Sequence, residues 1–137
     1  MIRNWGHVAV GRRSERESDL FFVGLLGLER TRARDLAPEL AGRIFGREVG
    51  CRMIDYERGE IRFEVFVPAD GQLGESGFGH VCLAVEEREE LLARCDGYDP
   101  RVIRVPREGG DIVFLEDRDG NLYEIQEARP RAERASS

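Results

Sequence analysis

The sequence predicts an α+β fold built from two βαβββ modules, and three observations support this prediction. Residues alternate with period two in WGHVAV (5–10) and again in GHVCLAV (79–85), which is the pattern of a strand with two distinct faces. Each of these strands carries one of the chain's two histidines, His7 or His80, directly after a glycine. In each half the strand is followed by the same order of patterns, one helix and three more strands. The chain therefore looks like two copies of one unit.

The helix of the first module has a recognisable start and end. Ser14 and Glu17 have the spacing of a capping box, so the helix is predicted to begin near Glu15. Gly27 is placed to end it, because glycine readily adopts the left-handed conformation that terminates helices. The apolar side of this helix is predicted to consist of Leu20, Phe21, Gly24 and Leu25.

The rest of the first module is predicted from alternation, turn residues and one proline. DLAPELAGRIFG (35–46) indicates a short inserted helix at about 38–45, because Pro38 suits a first helical turn. Its predicted apolar face consists of Leu36, Leu40 and Ile44. The strands of this module are predicted at 4–10, 28–34, 49–57 and 60–67, the last two joined by a tight turn at Arg58–Gly59.

The second module is predicted to repeat this order after a loop-rich linker. Its helix, at about 87–96, turns Leu91, Leu92 and Cys95 inward and is followed by Gly97. Its strands are predicted at 79–85, 100–105, 111–116 and 121–127. The resulting organisation is a first module over 1–67, a linker over 68–79, a second module over 80–127 and a disordered tail over 128–137.

Composition excludes several classes of function. The net charge of −6 argues against nucleic acid or an anionic membrane as a partner. All 21 basic residues are arginine, so Schiff-base chemistry and a P-loop are excluded, whereas arginine suits carboxylate or phosphate groups of a small substrate. Three irregularly spaced cysteines form neither a disulfide framework nor a CxxC zinc site, and Cys82 and Cys95 are predicted to be buried thiols. Without a membrane span or a signal-peptide core, we expect a cytoplasmic protein.

A histidine in the first strand and a glutamate in the last recur in both modules. His7 is matched with Glu64, and His80 with Glu124. Pairing of the modules about a pseudo-twofold axis would bring all four side chains together. Two imidazoles and two carboxylates suit Zn²⁺, Ni²⁺, Co²⁺, Mn²⁺ or Fe²⁺. Taken singly, a strand histidine is more often a core or surface residue, and a glutamate more often solvated; the repeat favours a metal site.

At these residues the chain resembles the vicinal oxygen chelate superfamily, which includes glyoxalases, bleomycin-resistance proteins and dioxygenases. The resemblance covers roughly residues 4–127, and in EDRDGNLYEI (116–125) Arg118 stands where the family usually has proline. It implies two modules paired into a curved eight-stranded open-barrel sheet around a metal site. Its clearest parts are GHVAV (6–10), FFVGLLGLE (21–29), RFEVF (62–66), GHVCLAV (79–85) and FLEDRDGNLYEIQE (114–127).

The resemblance is closest to glyoxalase I-like lyases, whose metal ligands follow the order His, Glu, His, Glu. It implies one divalent metal ion per site, held by His7, Glu64, His80 and Glu124. It also implies proton transfer next to a carbonyl through an enediolate, with Glu124 as the expected proton carrier and Glu64 as its counterpart. Both pairing within one chain and pairing across two occur in this superfamily, and we expect a homodimer.

Three further residues are candidates for contact with a small-molecule substrate. Two of them are arginines, which would suit an anionic substrate. The three residues are Arg12, Phe66 and Arg107, although core packing of Phe66 and solvation of Arg107 are alternatives. Glutathione-using bacterial glyoxalases carry arginine four residues after the first ligand histidine, where this chain has Gly11. They carry asparagine shortly after the first ligand glutamate, where this chain has Val67 and Pro68. Use of glutathione is therefore not implied.

Two alternative functions share this fold. An epimerase similar to methylmalonyl-CoA epimerase would use the same enolate chemistry, but such enzymes usually place glutamine at the second ligand, where this chain has Glu64. A metal-free protein that sequesters an antibiotic or another small molecule would generally lack the ligand set. An extradiol dioxygenase is disfavoured, because it needs two histidines, one carboxylate and three open positions on the metal.

Overall fold

The computed structural model describes residues 1, 6–74 and 79–128. It divides into two compact units, Met1–Ser76 and Gly77–Ser137, and the division falls within the predicted linker. The first two residues of the predicted strand 4–10, part of that linker, and all but the first residue of the predicted disordered tail lie outside the described residues.

The first unit contains one four-stranded mixed sheet. Its strands lie in the order β1-β4-β3-β2, with β1 parallel to β4 and the other neighbours antiparallel. Apolar residues alternate clearly in the strand Ile61–Pro68, and Gly59, with a φ of +58°, lies in the turn before it. The elements are β1 (Val8–Gly11), α1 (Glu15–Asp19), β2 (Glu29–Leu36), α2 (Pro38–Phe45), β3 (Cys51–Arg58) and β4 (Ile61–Pro68).

The first helix begins and ends where its capping residues predict. The hydroxyl oxygen of Ser14 accepts a hydrogen bond from the backbone N–H of Glu17 at 3.2 Å. At the other end Gly27 has a φ of +73°, and its N–H donates to the carbonyl of Val23 at 3.2 Å. A residue with a side chain would be strained there, so glycine fixes the end of the helix.

The second part of this helix is a π-helix, which changes the residues on its buried side. Residues Leu20–Leu25 are π-helical, and the N–H of Leu26 donates to the carbonyl of Phe21, five residues back, at 3.0 Å. Phe22 is fully buried and stacks on Tyr56 at 4.8 Å, whereas Leu20 is 47% exposed. The predicted apolar side was therefore wrong in including Leu20 and omitting Phe22, because the 3.6-residue period does not apply to a π-helix.

The inserted helix α2 is present at the predicted residues but is rotated about its axis relative to the predicted face. Ala41 is its buried residue, while Leu40 and Ile44 are 46% and 59% exposed. Leu36 belongs to the end of β2 and is buried there. The predicted apolar face is therefore wrong. The spacing of the apolar residues identifies one side of the helix, but α2 turns the adjoining side, with Ala41, inward.

A bulge in β2 decides which way its arginines point. The register with β3 shifts between Arg30 and Arg32, so the intervening Thr31 is the extra residue of the ladder. On one side of the bulge Arg30 points toward α1, where its Nη1 lies 2.9 Å from Oδ2 of Asp19. On the other side Arg34 points to the opposite face of the sheet, the face that carries Glu64.

The second unit repeats the sheet of the first. Its strands lie in the order β5-β8-β7-β6, again with the first strand parallel to the last and the other neighbours antiparallel. Leu92 and Cys95 are buried and Leu91 is half-buried, so the inward face of its helix is confirmed. Its elements are β5 (Val81–Val85), α3 (Arg88–Arg94), β6 (Arg101–Val105), β7 (Ile112–Glu116) and β8 (Leu122–Glu127).

Two four-stranded mixed sheets with helices confirm the predicted α+β class and the βαβββ order of each half. In both units the first and last strands are neighbours, so residues from distant parts of each module meet on one face. Among the helices of the described residues, none is long and apolar enough to cross a lipid bilayer.

Candidate metal centre

The first histidine–glutamate pair lies on neighbouring strands of the first unit. Ala9 is the register partner of Glu64, and His7 precedes Ala9 by two residues, which places both on the same side of the sheet. Nε2 of His7 lies 3.7 Å from Oε1 of Glu64. The histidine side chain is 40% exposed and the glutamate side chain 10% exposed. The imidazole is therefore accessible, with the carboxylate deeper beside it.

The second pair has the same register in the second unit. Cys82 is the register partner of Glu124, and His80 precedes Cys82 by two residues. Nε2 of His80 lies 3.7 Å from Oε1 of Glu124, as in the first pair. The imidazole packs with its ring at 69° to that of Phe114, with centroids 5.4 Å apart. The structure thus brings each predicted histidine beside the glutamate of its own unit.

The donor atoms of each pair fit a divalent metal ion. A separation of 3.7 Å exceeds the length of a hydrogen bond, so no hydrogen bond joins the two atoms. Two ligands of a tetrahedral ion, each about 2.1 Å from it, lie about 3.4 Å apart. Imidazole nitrogen with carboxylate oxygen is a donor set that Zn²⁺, Mn²⁺ and Fe²⁺ accept. Within the described ranges, no three histidine, cysteine, aspartate or glutamate side chains gather as a metal-binding group, so each unit offers two of the four predicted ligands.

Glu64 belongs to a charged cluster that sequence reasoning missed. Nη2 of Arg34 donates to Oε2 of Glu64 at 3.1 Å, and Nη1 of the same guanidinium lies 3.2 Å from Oδ2 of Asp55. Arg62 donates to the same Asp55 oxygen at 3.2 Å. The Asp55 side chain is 2% exposed, and its Oδ1 has no hydrogen-bond partner among the described residues. One oxygen of Glu64 is therefore tied to a guanidinium, and the other faces His7.

One signal in the sequence could have revealed this cluster. Asp55 lies between the buried apolar residues Ile54 and Tyr56 of β3, and a carboxylate in such a strand needs a cation or several donors. The segment LERTRAR (28–34), a predicted strand, carries four charged residues, which favours an exposed strand and gives no sign that Arg34 pairs with a buried carboxylate. The structure instead makes Arg34 a half-buried bridge between two carboxylates.

Glu124 has different neighbours from Glu64. Its Oε2 accepts a hydrogen bond from the Gln126 amide at 2.9 Å, and its side chain is 24% exposed. Its register partner in β7 is Phe114, whereas the partner of Glu64 in β3 is Asp55. The duplicated glutamates therefore differ in environment, since a guanidinium holds one of them and a neutral amide contacts the other.

The prediction that Cys82 is a buried thiol is wrong, whereas Cys95 is buried as predicted. Cys82 is exposed because it lies on the same side of β5 as His80, and this side is not covered by the helix of the unit. Partial burial, and then the negative charge of Glu124, raise the pKa of the Cys82 thiol. Both effects disfavour the thiolate form of Cys82 in the absence of a metal ion.

A buried aspartate builds the turn that leads into the strand of Glu124. Asp117 is 3% exposed and accepts hydrogen bonds from the backbone N–H groups of Asp119 and Asn121 at 2.9 and 3.0 Å. The buried hydroxyl of Tyr123 also donates to it at 2.9 Å. This turn joins the predicted strands 111–116 and 121–127, and it fixes the register in which β8 presents Glu124.

We expect Asp117→Ala to lower the free energy of unfolding by about 2–4 kcal/mol, because a buried hydroxyl and two backbone N–H groups would lose a charged acceptor. The measurement is urea unfolding followed by circular dichroism. Asp96→Ala, at an exposed position of the same unit, is the matched control and should change stability by less than about 0.5 kcal/mol. Equal effects of the two substitutions would show that the turn does not depend on Asp117.

The three predicted substrate-contact residues lie in different environments. Arg12 is fully buried, with its guanidinium carbon 5.4 Å from the centroid of the Phe21 ring. Phe66 is half-buried, and its ring meets that of Phe45 edge-on at 5.2 Å. Arg107 is exposed at a turn closed by the N–H of Gly110. Of these, Phe66 lines an open cavity in the first unit, while the substrate contacts of all three stay predictions.

Comparison with solved structures shows the fold. A glyoxalase family protein from Bacillus cereus is 16% identical, covers 94% of this chain and 97% of its own, and has a TM-score of 0.73. The trypanothione-dependent glyoxalase I of Leishmania major is 20% identical, with coverages of 98% and 94% and a TM-score of 0.74. A variant of the fosfomycin resistance protein FosX from Listeria monocytogenes, complexed with Mn(II) and a dihydroxypropylphosphonic acid, is 13% identical, with coverages of 94% and 93% and a TM-score of 0.69.

The chain therefore has the fold of the vicinal oxygen chelate superfamily, as its sequence motifs predict. No protein-family model matches the sequence, and no curated protein matches it significantly.

Proposed function

We propose that this chain is a divalent-metal-dependent, glyoxalase-like lyase or isomerase that acts on a small-molecule substrate in the cytoplasm. It takes a proton from the carbon beside a carbonyl and returns it to the neighbouring carbon, through an enediolate. His7, Glu64, His80 and Glu124 form the ligand set, completed within one chain or between the two copies of a homodimer. The observation that carries this proposal is the repeated pair: in each unit, histidine and glutamate occupy the same register with 3.7 Å between donor atoms.

The metal ion would supply a positive charge that stabilises the enediolate and makes the carbon-bound proton beside the carbonyl more acidic. The protein residues hold the substrate and move the proton. A carboxylate within reach of the reacting carbon takes the proton and returns it to the neighbouring carbon. Two glutamates are available for this role, and their surroundings separate them.

Glu124 is the better proton carrier of the two. Glu64 is paired with Arg34, which also contacts the buried carboxylate of Asp55. In proton transfer Glu64 would have to give up this partly buried ion pair in every cycle. Glu124 accepts a side-chain hydrogen bond from the neutral amide of Gln126, and among the described residues no guanidinium pairs with it. Glu64 is therefore assigned to holding the metal, and Glu124 to proton transfer.

The test is elemental analysis of protein purified without chelator, before and after incubation with Mn²⁺, Ni²⁺, Co²⁺ or Zn²⁺. We expect about one transition metal ion per complete ligand set. In deuterium oxide, NMR should show metal-dependent exchange of the carbon-bound protons of an α-hydroxyketone such as 2-hydroxyacetophenone. Protein dialysed against chelator is the control. Absence of metal after every incubation would overturn the proposal and leave a metal-free binding protein of the same fold.

A further inference from the structure

The first unit contains a cavity of about 310 Å³ on the same side of the sheet as Glu64. Gly11 and Phe66 are register partners and both line it. Ala9, the register partner of Glu64, lines it as well. Phe66 follows Glu64 by two residues, which corresponds to about 7 Å along a strand. The cavity therefore begins directly beside the first pair of candidate metal ligands.

The cavity is apolar and offers no charged group to a ligand. Its wall includes the rings of Phe45 and Phe66, which pack edge-on. Arg47, the cation in the wall, pairs with Asp70 and donates to the backbone carbonyl of Gln72 at 2.6 Å. Its charge is therefore already neutralised within the protein, so the cavity suits an uncharged group.

The helix α2 and Gly11 together determine the size of the cavity. Ala41 and Phe45 of α2 form its outer wall, opposite the sheet. A Cβ atom at Gly11 would lie 2.9 Å from Cδ2 of Leu73, closer than side chains normally approach. Since Gly11 does not have a positive φ, its backbone conformation does not require glycine. The glycine matters here because it leaves space between the strand and Leu73.

We propose that this cavity binds the uncharged alkyl or aryl group of the substrate, whose neighbouring oxygens then lie against His7 and Glu64. This inference rests on the proposed function and names its substrate class: α-hydroxycarbonyl compounds that carry an apolar group of about five to eight carbons. A cavity of about 150 Å³ already accepts benzene, so about 310 Å³ accommodates a phenyl or hexyl group with space to spare. It is at the lower limit for a whole drug-sized ligand, as expected for a subsite.

Two hydroxamates test the proposal, because both present neighbouring oxygens and they differ only in the alkyl group. Acetohydroxamate and hexanohydroxamate are titrated into metal-free protein and into zinc-loaded protein, and binding is followed by methyl NMR. In metal-free protein we expect hexanohydroxamate to bind at least about tenfold more tightly, because each buried methylene favours binding. The shifted methyl signals should include those of Leu73 and Ala9. Equal affinities for the two compounds in both forms of the protein would overturn the inference.

Variants locate the binding site. Gly11→Val should weaken hexanohydroxamate at least about tenfold and leave acetohydroxamate unchanged, since the new side chain and Leu73 would fill the cavity. Phe45→Ala provides a second test if the first variant does not fold. Its matched control is Ile44→Ala, because the two side chains are 56% and 59% exposed on the same helix but only Phe45 lines the cavity. Hexanohydroxamate that binds every variant like the wild type would place its alkyl group elsewhere.

The two forms of the protein separate this inference from the proposed function. If hexanohydroxamate is preferred and zinc adds nothing to either affinity, the cavity binds apolar groups but the metal site is wrong. If zinc strengthens both compounds equally and chain length has no effect, the metal site is right and the apolar subsite is wrong.

Discussion

Glu124→Gln is expected to slow exchange of the carbon-bound protons of 2-hydroxyacetophenone by about 10²–10⁴-fold at saturating metal. The amide keeps an oxygen that can bind a metal ion, but it cannot accept the substrate proton. The Gln126 amide contacts Oε2 of Glu124, and no guanidinium among the described residues would lose an ion-pair partner in the substitution. Exchange is measured by NMR in deuterium oxide, with metal content determined on the same sample.

The matched control is Glu64→Gln, the same change at the equivalent position of the other unit. It leaves Arg34 with only Asp55 as a carboxylate partner, so we expect weaker metal retention and a smaller loss of exchange once metal is saturating. If Glu64→Gln instead abolishes exchange at saturating metal while Glu124→Gln remains active, the roles of the two glutamates are reversed. If neither substitution affects exchange, proton transfer by the ligand carboxylates is excluded.

His80→Ala should lower the affinity for the bound metal ion by more than about a hundredfold, because even residues that only support metal ligands contribute 10–100-fold. His80 is 41% exposed and packs on Phe114, so its loss opens space at the surface without a buried cavity. The measurement is competition with a chromophoric chelator for Zn²⁺, with elemental analysis of protein purified without chelator.

Cys82→Ala is the matched control for this variant. Cys82 lies two residues after His80 on the same side of the strand, and it is not one of the four proposed ligands. Its substitution should leave the affinity within about twofold. A large loss in Cys82→Ala would add sulfur to the ligand set, and an unchanged affinity in His80→Ala would contradict the proposed site.

The duplicated topology could be predicted from the sequence because each strand carries its own local signal. Alternation with period two marks the strands, and turn glycines separate them. The resemblance between the halves then pairs His7 with Glu64, and His80 with Glu124, from the sequence alone. The structure adds that in both units the histidine lies two residues before the register partner of the glutamate.

The features that could not be predicted depend on geometry that leaves no local pattern. The exposure of Leu20 follows from a π-helical stretch, whose hydrogen bonds depend on packing against the sheet. The burial of Ala41 in place of Leu40 and Ile44 depends on how α2 is rotated about its own axis. The role of Arg34 depends on a one-residue bulge in β2, which no alternation rule anticipates.

The bulge in β2 limits where this strand can accept insertions and deletions during evolution. Thr31 is the extra residue that lets Arg30 reach α1 while Arg34 reaches Glu64. Deletion of one residue between Thr31 and Arg34 would keep the bulge and Arg30 in place but move Arg34 to the other face of the sheet. The contacts of Arg34 with Glu64 and Asp55 would be lost, although every remaining residue type was unchanged. The strand therefore tolerates substitutions at its exposed positions better than changes in length, and relatives that share this unit are expected to place insertions and deletions outside residues 29–34.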